Sequence, residues 1–350
     1  MLTFQEKLKK YLDEELKRVE HMKNGDLVLS VPPSHLYIEP TNSCNHRCIM
    51  CVPTDKKGKF GKMSLGMWKK IVDNMAENNI ITPTTLIGRG EPLLHKDIVE
   101  IVDYGSKHDI PCYIITNGSL LTEERTRKLL DAGVKKIQVS MHAHSPESHA
   151  KITRSVSGQG YQEIKQNVIN MVEIVKVGRY NCHTAIMSCI MKENKHEIEE
   201  FKKFWTPIVD RCFTTELYGM QGDSGKSEEA REAAQAYMAG QEHPGCTNPF
   251  FFLSIRWHGG INPCGYDWGE DMEVGNVNDP GYDMMKVFNN DMMQKLRHSM
   301  LSKDFSFCKE HDYVCETCDW PFDPDAFRGI DSHINNLPDV FSRNFSGALR

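Results

Sequence analysis

The chain has 350 residues, a formal net charge of −6, and 39% hydrophobic and 26% charged residues, a composition typical of a globular protein. No apolar run reaches the length of about 18 residues that a membrane span needs, and the amino terminus lacks the apolar core of a signal peptide, so we expect a cytoplasmic protein. The negative charge disfavours a broad nucleic-acid-binding face, so no nucleic-acid partner is expected.

Residues 3–22 have the pattern of an amphipathic helix. Apolar side chains recur every four positions, with lysines and glutamates between them, at Phe4, Leu8, Leu12 and Leu16. This stripe predicts a helix that packs on the outside of the main domain. Gly25 and the Pro32-Pro33 pair then mark a break before the first strand.

Three closely spaced cysteines follow the predicted strand at 35–39 in a C-x3-C-x2-C pattern: Cys44, Cys48 and Cys51. Three thiolates on one loop can converge on a single soft metal centre. The next cysteine is Cys112, so no fourth thiol lies nearby, and a [4Fe–4S] cluster with one open iron is the preferred interpretation. The alternatives are three buried or incidental thiols, or a zinc knuckle completed by His46.

From here to about residue 220, strand and helix patterns alternate. Strand-like runs occur at 35–39, 84–88, 111–116, 135–140, 183–190 and 212–218, with helical patterns near 65–78, 96–108, 122–132, 160–177 and 195–205. Six β-α units in series specify a parallel sheet with right-handed crossovers, and chemistry in such sheets collects on the loops after the carboxyl ends of the strands. Six units rather than eight predict an α/β fold in the form of an incomplete barrel.

Several of these loops carry groups suited to a ligand. The second strand leads into Gly88-Arg89-Gly90-Glu91-Pro92, where glycine lets the backbone approach a ligand and Glu91 can accept a hydrogen bond from an ammonium group. Asn117 and Ser140 end the third and fourth strands, where amide and hydroxyl groups could hold a ribose. Arg154 carries a planar guanidinium suited to a carboxylate.

Three histidines lie in the loop after the fourth strand: His142, His144 and His149. No ligand spacing surrounds them, so a solvated loop is preferred over a metal site. The alternative is that one of them acts as a general base. The sequence therefore assigns no catalytic residue.

A second cysteine set lies in the C-terminal part: Cys246, Cys264, Cys315 and Cys318. Residues 250–264 have the pattern of a β-hairpin with its turn at the glycines, which would bring Cys246 and Cys264 to one end. Four thiolates would complete a cluster without an open iron, which suggests electron transfer or shaping of the site. Cys308 could replace Cys315 as a ligand, and a structural zinc ribbon is the rival interpretation. The remaining cysteines are most simply small buried residues: Cys112, Cys182, Cys189 and Cys212.

The first cysteine triad resembles the hallmark of the radical S-adenosylmethionine (SAM) enzymes, although Met50 stands where an aromatic residue is common. The resemblance implies a (β/α)6 partial barrel and an open iron chelated by SAM. It further implies reductive cleavage of SAM to a 5′-deoxyadenosyl radical that takes hydrogen from a substrate. Family positions that contact SAM match Gly90, Glu91, Pro92, Asn117, Ser140 and Arg154.

The C-terminal set resembles the SPASM/twitch extension of that family, including a Gly-x3-Cys hairpin ending and a strand at 274–277. Its cysteine count suits the shorter form with one auxiliary [4Fe–4S] cluster. We therefore predict an N-terminal helix and lead-in at 1–33, a radical SAM partial barrel at 34–225, an α+β auxiliary-cluster domain at 226–325 and a tail at 326–350.

These resemblances favour an oxidoreductase in which the auxiliary cluster accepts an electron from a small metabolite such as a sugar or aminocyclitol alcohol. The expected partners are that small-molecule substrate, or a peptide, and a reductant such as flavodoxin or ferredoxin. A peptide- or protein-modifying maturase is the alternative, disfavoured because 33 residues are too few for a leader-binding domain, and a redox-neutral epimerase or lyase also stays open. A zinc-stabilised binding protein is the non-enzymatic alternative.

Overall fold

The computed structural model describes residues 4–51, 59–156, 158, 160–215, 238–265, 267, 272–318 and 321. Its helices are α1 (Phe4–Asn24), α2 (Leu65–Glu77), α3 (Ile98–Lys107), α4 (Glu123–Asp131), α5 (Pro146–Thr153), α6 (Tyr161–Gly178), α7 (Ile198–Trp205), α8 (Asn248–Phe251), α9 (Met284–Phe288), α10 (Asp291–Ser302) and α11 (Ser306–Glu310). The strands are β1 (His35–Ile38), β2 (Thr84–Leu86), β3 (Cys112–Thr116), β4 (Lys136–Ser140), β5 (His183–Cys189), β6 (Arg211–Thr215), β7 (Phe252–Ile255), β8 (Gly260–Asn262) and β9 (Gly275–Asn276). The predicted boundary at 225 and the tail lie outside the described residues.

The strands form one sheet in the order β6-β5-β4-β3-β2-β1-β7-β8-β9. Neighbours from β6 to β7 are parallel, and β8 and β9 are antiparallel to the strands beside them. Helices connect β1 through β6, which confirms the predicted α/β partial barrel. Within the described ranges, no helix is long and apolar enough to cross a membrane.

Alternation along the strands separates the two faces of the sheet. Leu36, Ile38, Ile137 and Val139 are buried in the main hydrophobic core with the helices. Trp68 of α2 anchors this core, since it is fully buried and its indole N–H donates to the Ile101 carbonyl at 2.8 Å. The predicted burial of Cys112, Cys182 and Cys189 is confirmed, while Cys212 is only half-buried.

The C-terminal part joins this sheet directly at β1. β7 lies parallel to β1, from the His35–Phe252 pair to the Ile38–Ile255 pair, and β8 folds back on β7. This confirms the predicted hairpin, but its first strand begins at Phe252 rather than at residue 250. Residues Asn248–Phe251 form a helical turn instead, with Pro249 in the first turn, where proline is favoured.

The predicted helix is present as α1, but Leu16 of its predicted apolar stripe does not lie on the buried face. Leu16 is 51% exposed, whereas Tyr11, Arg18, Val19 and Met22 are buried. The guanidinium of Arg18 donates to the Phe250 carbonyl at 3.0 Å and lies 5.1 Å above the Phe251 ring. A buried arginine that binds a backbone carbonyl therefore orients the helix, and a hydrophobicity pattern does not detect such a contact.

Candidate active site

The first cysteine triad lies on the loop after β1, at the carboxyl edge of the sheet. Burial raises the pKa of the Cys44 thiol to about 11, with smaller contributions from Glu91 and Cys51. The pKa of Cys48 is raised chiefly because its thiol donates a hydrogen bond to Cys51. The three thiols thus lie close enough to oppose one another's ionisation, a cost that a bound cation would remove.

Helix α5 packs against this cysteine loop and binds its backbone. The Arg47 and Ile49 amides donate to the carbonyls of Thr153 and Ile152, at 3.0 and 2.9 Å. Ile152 also packs with Cys189 and Met191 against Ile49 and Met50 of the loop. The sequence analysis missed α5, although Ser145-Pro146 is a helix-start signal and the Ser145 hydroxyl does accept from the Ser148 amide.

The glycine loop after β2 lies directly against the cysteine loop. A Cβ atom on Gly90 would lie 2.3 Å from the Thr41 carbonyl oxygen and 2.5 Å from that of Ser43. The Glu91 amide donates to the same Ser43 carbonyl at 2.8 Å. Only glycine fits this contact, so the predicted segment Gly90 to Pro92 is held beside the cysteines by backbone packing.

Glu91 is a buried carboxylate, 2% exposed. It accepts hydrogen bonds from the Thr116 hydroxyl at 2.6 Å and from the backbone amides of Asn117 and Leu93 at 2.7 and 3.0 Å. Burial raises its pKa, against the lowering effect of these hydrogen bonds. Across the described part of the chain, no cationic side chain forms an ion pair with Glu91. A buried carboxylate of this kind suits the ammonium group of a ligand.

An amide and hydroxyl network ties β3 to the cysteine loop. The Asn117 side-chain amide donates to the side-chain oxygen of Asn45 at 2.9 Å, and the Asn45 side-chain amide donates to the Ser119 hydroxyl at 2.8 Å. Ser119 completes the ring by donating to Asn117 at 2.6 Å. Asn117 was predicted to be a site residue. Asn45 and Ser119 were not, because only the fold brings them together.

The last two predicted SAM contacts lie at the edge of the site that the cysteine loop and the glycine loop form. Ser140 ends β4 opposite Met187 and is half-buried. Arg154 caps the carboxyl end of α5 in a left-handed conformation with φ of 45° and is exposed. It follows Thr153, whose carbonyl binds the cysteine loop, so it lies beside that loop. Its role as a carboxylate ligand stays a prediction.

The predicted solvated loop of histidines is wrong for two of its three members. His142 and His149 are 6% and 4% exposed, while His144 is half-buried. His142 accepts from the Cys189 amide at 3.0 Å, and the His149 ring lies 6.3 Å from that of His46. Burial lowers the pKa of His142 to about 4. His149 is buried because it lies on α5, which packs against the cysteine loop, and periodicity alone did not reveal α5.

The second cysteine set is assembled from separate segments. Cys246 precedes α8, Cys264 follows β8, and Cys315 lies in a 3₁₀ turn at Val314–Thr317 that ends before Cys318. A thiol hydrogen bond to Cys308 is the largest cause of a raised pKa at Cys315, with smaller contributions from burial and from Cys264 and Cys246. The fold therefore places Cys264 and Cys246 near Cys315, with the fully buried Cys308 beside it.

In the described part of the chain, neither cysteine set has the geometry of a metal-binding site. Among the residues that the structure describes, no three or more His, Cys, Asp and Glu side chains are arranged to hold a metal ion. The donors are nevertheless soft thiols grouped on the expected segments, which is the chemistry that an iron–sulfur cluster requires. The exact ligand sets stay predictions.

Comparison with known families identifies the class. The family model of the radical SAM superfamily matches residues 38–204, and that of the SPASM iron–sulfur cluster-binding domain matches residues 246–319. The chain is a radical SAM enzyme. Within that superfamily it belongs with the proteins that carry a SPASM domain, so its cofactors are a [4Fe–4S] cluster, SAM and auxiliary iron–sulfur.

Known relatives differ widely in their reactions. A tungsten-containing aldehyde ferredoxin oxidoreductase cofactor-modifying protein from Pyrococcus furiosus is 27% identical over 185 residues, 52% of this chain and 51% of that protein. BtrN in complex with AdoMet and 2-DOIA is 17% identical with a TM-score of 0.52, covering 81% of this chain and 92% of its own. Streptococcus suis SuiB bound to precursor peptide SuiA is 16% identical with a TM-score of 0.62, covering 81% and 70%. The chain spans about half the length of the curated relatives it matches, and the structural likenesses show the fold alone.

Proposed function

We propose that this protein is a radical SAM oxidoreductase that oxidises an alcohol of a small metabolite, such as a sugar or aminocyclitol. Bound SAM and the first cluster would supply a 5′-deoxyadenosyl radical, and an auxiliary [4Fe–4S] cluster held by the C-terminal cysteines would supply an acceptor for one electron. The observation that carries the proposal is the direct pairing of β7 with β1. It joins the hairpin of the auxiliary cysteines to the strand that leads into the first triad.

Glu39 connects the parts of the site at this junction. Its amide donates to the Ile255 carbonyl at 2.9 Å, which continues the β1–β7 pairing. Its buried carboxylate accepts from the Arg89 amide at 2.9 Å and from the Trp257 amide at 3.5 Å. The glycine loop and the hairpin turn therefore meet at one side chain, at the end of the strand that leads into the cysteine loop. This close approach of the auxiliary hairpin to the first site supports the proposal.

The proposed roles of the site residues are as follows. Cys44, Cys48 and Cys51 hold the cluster that supplies the radical chemistry when SAM is bound. Glu91 binds the SAM ammonium, for which its buried carboxylate is suited because no cation of the described residues forms an ion pair with it. Asn117 and Ser140 hold the ribose and Arg154 the carboxylate; these roles rest on the family resemblance. Cys246, Cys264, Cys315 and Cys318 hold the auxiliary cluster, with Cys308 as the substitute for Cys315.

Oxidation of an alcohol to a carbonyl removes two electrons and two protons. With the cofactors bound, one hydrogen atom would leave the carbinol carbon to form 5′-deoxyadenosine, the hydroxyl proton would pass to a base, and the remaining electron would go to the acceptor held by the auxiliary cysteines. We assign no base: His142 is buried and accepts from a backbone amide. A peptide- or protein-modifying maturase, or a redox-neutral epimerase or lyase, would use the same radical site and is the alternative function.

The test is a substrate screen with anaerobically reconstituted enzyme. Sugar alcohols, aminocyclitols and short peptides are each incubated with SAM and dithionite, and 5′-deoxyadenosine and products are measured by mass spectrometry. We expect an alcohol substrate to raise 5′-deoxyadenosine release and to lose two mass units. Stimulation by peptides alone would replace this proposal with the maturase.

A further inference from the structure

His243 lies three residues before Cys246 and belongs to none of the predicted cofactor or metal sites. Its Nδ1 atom accepts a hydrogen bond from the Gly245 amide at 3.1 Å. Gly245 has φ of 70°, a left-handed conformation that favours glycine. The imidazole also packs edge-on against the buried Phe305 ring, with 4.6 Å between the two ring centroids. The ring is therefore held in place by a backbone amide and by an aromatic contact.

The other ring nitrogen, Nε2, is buried and faces the second pair of auxiliary cysteines. Burial lowers the pKa of His243 to about 4, while the neighbouring backbone carbonyls of Cys315 and Cys318 act to raise it. A neutral imidazole has one N–H group, and because Nδ1 accepts from Gly245, that group is on Nε2. The Nε2–H group is consequently the donor directed at the two carbonyls.

His243 thus connects two segments that carry predicted ligands of the auxiliary cluster. Its ring belongs to the segment that leads into Cys246, and the carbonyls belong to the turn at Val314–Thr317 and the cysteine after it. Asn248 extends these contacts, since its side-chain amide donates to the Cys264 Sγ atom at 3.5 Å. Residues 243–248 therefore contact every segment that carries one of the four thiols.

These contacts argue against His243 as a ligand of the cluster itself. An imidazole binds a metal through a nitrogen lone pair, but the Nδ1 lone pair accepts from Gly245 and Nε2 carries the proton. Groups that form hydrogen bonds to metal-binding residues instead orient those residues and add to metal affinity. His243 occupies such a position beside the Cys315–Cys318 turn.

We propose that His243 is a positioning residue for the auxiliary cluster. Its Nε2–H group holds the Cys315–Cys318 turn against the segment of Cys246, so that the thiols are brought together before the cluster binds. Ligands that are already in place lose less conformational freedom on binding, and the cluster is correspondingly harder to remove. The inference depends on the auxiliary iron–sulfur cofactor and not on which substrate the enzyme oxidises.

The test measures the rate at which the auxiliary cluster loses iron to bathophenanthroline disulfonate, followed by absorbance under anaerobic conditions. All proteins are full-length chains in which alanine replaces the first cysteine triad, so that the iron comes from the auxiliary site. His243→Phe keeps an aromatic ring against Phe305 and removes both nitrogens. The matched control is His311→Phe, the same substitution at an exposed histidine whose ring stacks on Tyr313.

Two amide variants separate the two hydrogen-bonding atoms of the ring. His243→Gln has an amide N–H that reaches about as far as Nε2, so it can still donate to the two carbonyls. His243→Asn is too short for that contact, although its side-chain oxygen can still accept from the Gly245 amide. Rescue by Gln but not by Asn would therefore assign the effect to the Nε2–H group.

We expect His243→Phe and His243→Asn to lose iron at least about tenfold faster than the parent, because partners of metal ligands typically contribute ten- to a hundredfold to metal affinity. His243→Gln should lose iron nearly as slowly as the parent, and His311→Phe should match the parent. The EPR spectrum of the freshly reconstituted, reduced cluster should be that of a [4Fe–4S] cluster in every variant.

Parent-like rates in both His243→Phe and His243→Asn would overturn the proposal. Equal acceleration in His243→Gln or in His311→Phe would also overturn it, because general destabilisation would then account for the loss. A [3Fe–4S] signal in fresh His243→Phe would make this histidine a ligand instead. Circular dichroism identifies a variant that does not fold, and if His243→Phe is one, the comparison of Asn with Gln decides.

Discussion

The two cysteine sites are built in opposite ways. The first triad lies within eight consecutive residues on one loop, and that loop is held from outside by α5 and by the glycine loop around Gly90. The auxiliary thiols come from segments up to 72 residues apart in sequence, from Cys246 to Cys318, and Cys264 and Cys246 lie near enough to Cys315 to raise its pKa. A cluster in the first site therefore crosslinks almost nothing, whereas a cluster in the second is a structural crosslink.

The largest effect is expected from removing the first triad. Cys44→Ala, Cys48→Ala and Cys51→Ala together should remove about four irons and abolish reductive SAM cleavage, because a cubane cluster needs these ligands. Iron and sulfide analysis with a 5′-deoxyadenosine assay measures both. Sustained release of 5′-deoxyadenosine from the triple variant would show that the radical chemistry is not located here.

Removal of auxiliary ligands should instead reduce stability. Cys315→Ser with Cys318→Ser should lower the thermal midpoint of the reconstituted protein by several degrees more than the triad variant does, because ligand binding across distant segments is coupled to folding. Calorimetry under anaerobic conditions compares the two. If the triad variant is the less stable one, the contrast between a local and a crosslinking site is wrong.

Gly90→Ala tests the contact that holds the glycine loop. Its Cβ would meet the Thr41 carbonyl at 2.3 Å, so the loop must move, and we expect SAM affinity to fall at least about tenfold, equivalent to 1.4 kcal/mol. Equilibrium binding of SAM measures this. Gly66→Ala in α2 is the control, since its nearest contact would be an ordinary 3.9 Å from the Ser64 hydroxyl. Equal behaviour of the two variants would contradict the close-packed loop.

A smaller effect is expected at the exposed edge of the site. Arg154→Ala should weaken SAM binding by about 1.5 to 3 kcal/mol, roughly ten- to a hundredfold, through loss of a charge-assisted pair. Arg154→Lys should recover part of this loss, because it keeps the charge but not the planar fork. An affinity within about twofold of the parent in Arg154→Ala would mean that this arginine is a surface charge.

The difference between local patterns and contacts between distant segments also explains which features the sequence could predict. The β-α alternation and the C-x3-C-x2-C triad are local patterns, and the described strands match the predictions closely. Contacts between segments distant in sequence were harder to predict: His149 is buried because α5 packs against the cysteine loop, and Asn45 meets Asn117 and Ser119 only in the folded chain. The orientation of α1 depends on a buried Arg18 that bonds to the Phe250 carbonyl, which no apolar stripe reveals.

The most direct test of the proposed oxidation uses a folded variant without the auxiliary cluster. Cys246→Ala, Cys264→Ala, Cys308→Ala, Cys315→Ala and Cys318→Ala together should still release 5′-deoxyadenosine and take deuterium from labelled substrate, provided circular dichroism and SAM affinity match the parent. Because the substrate radical would have no electron acceptor, we predict that oxidised product falls much further than 5′-deoxyadenosine does. Product and 5′-deoxyadenosine that remain coupled one to one would contradict the acceptor role and favour a redox-neutral reaction.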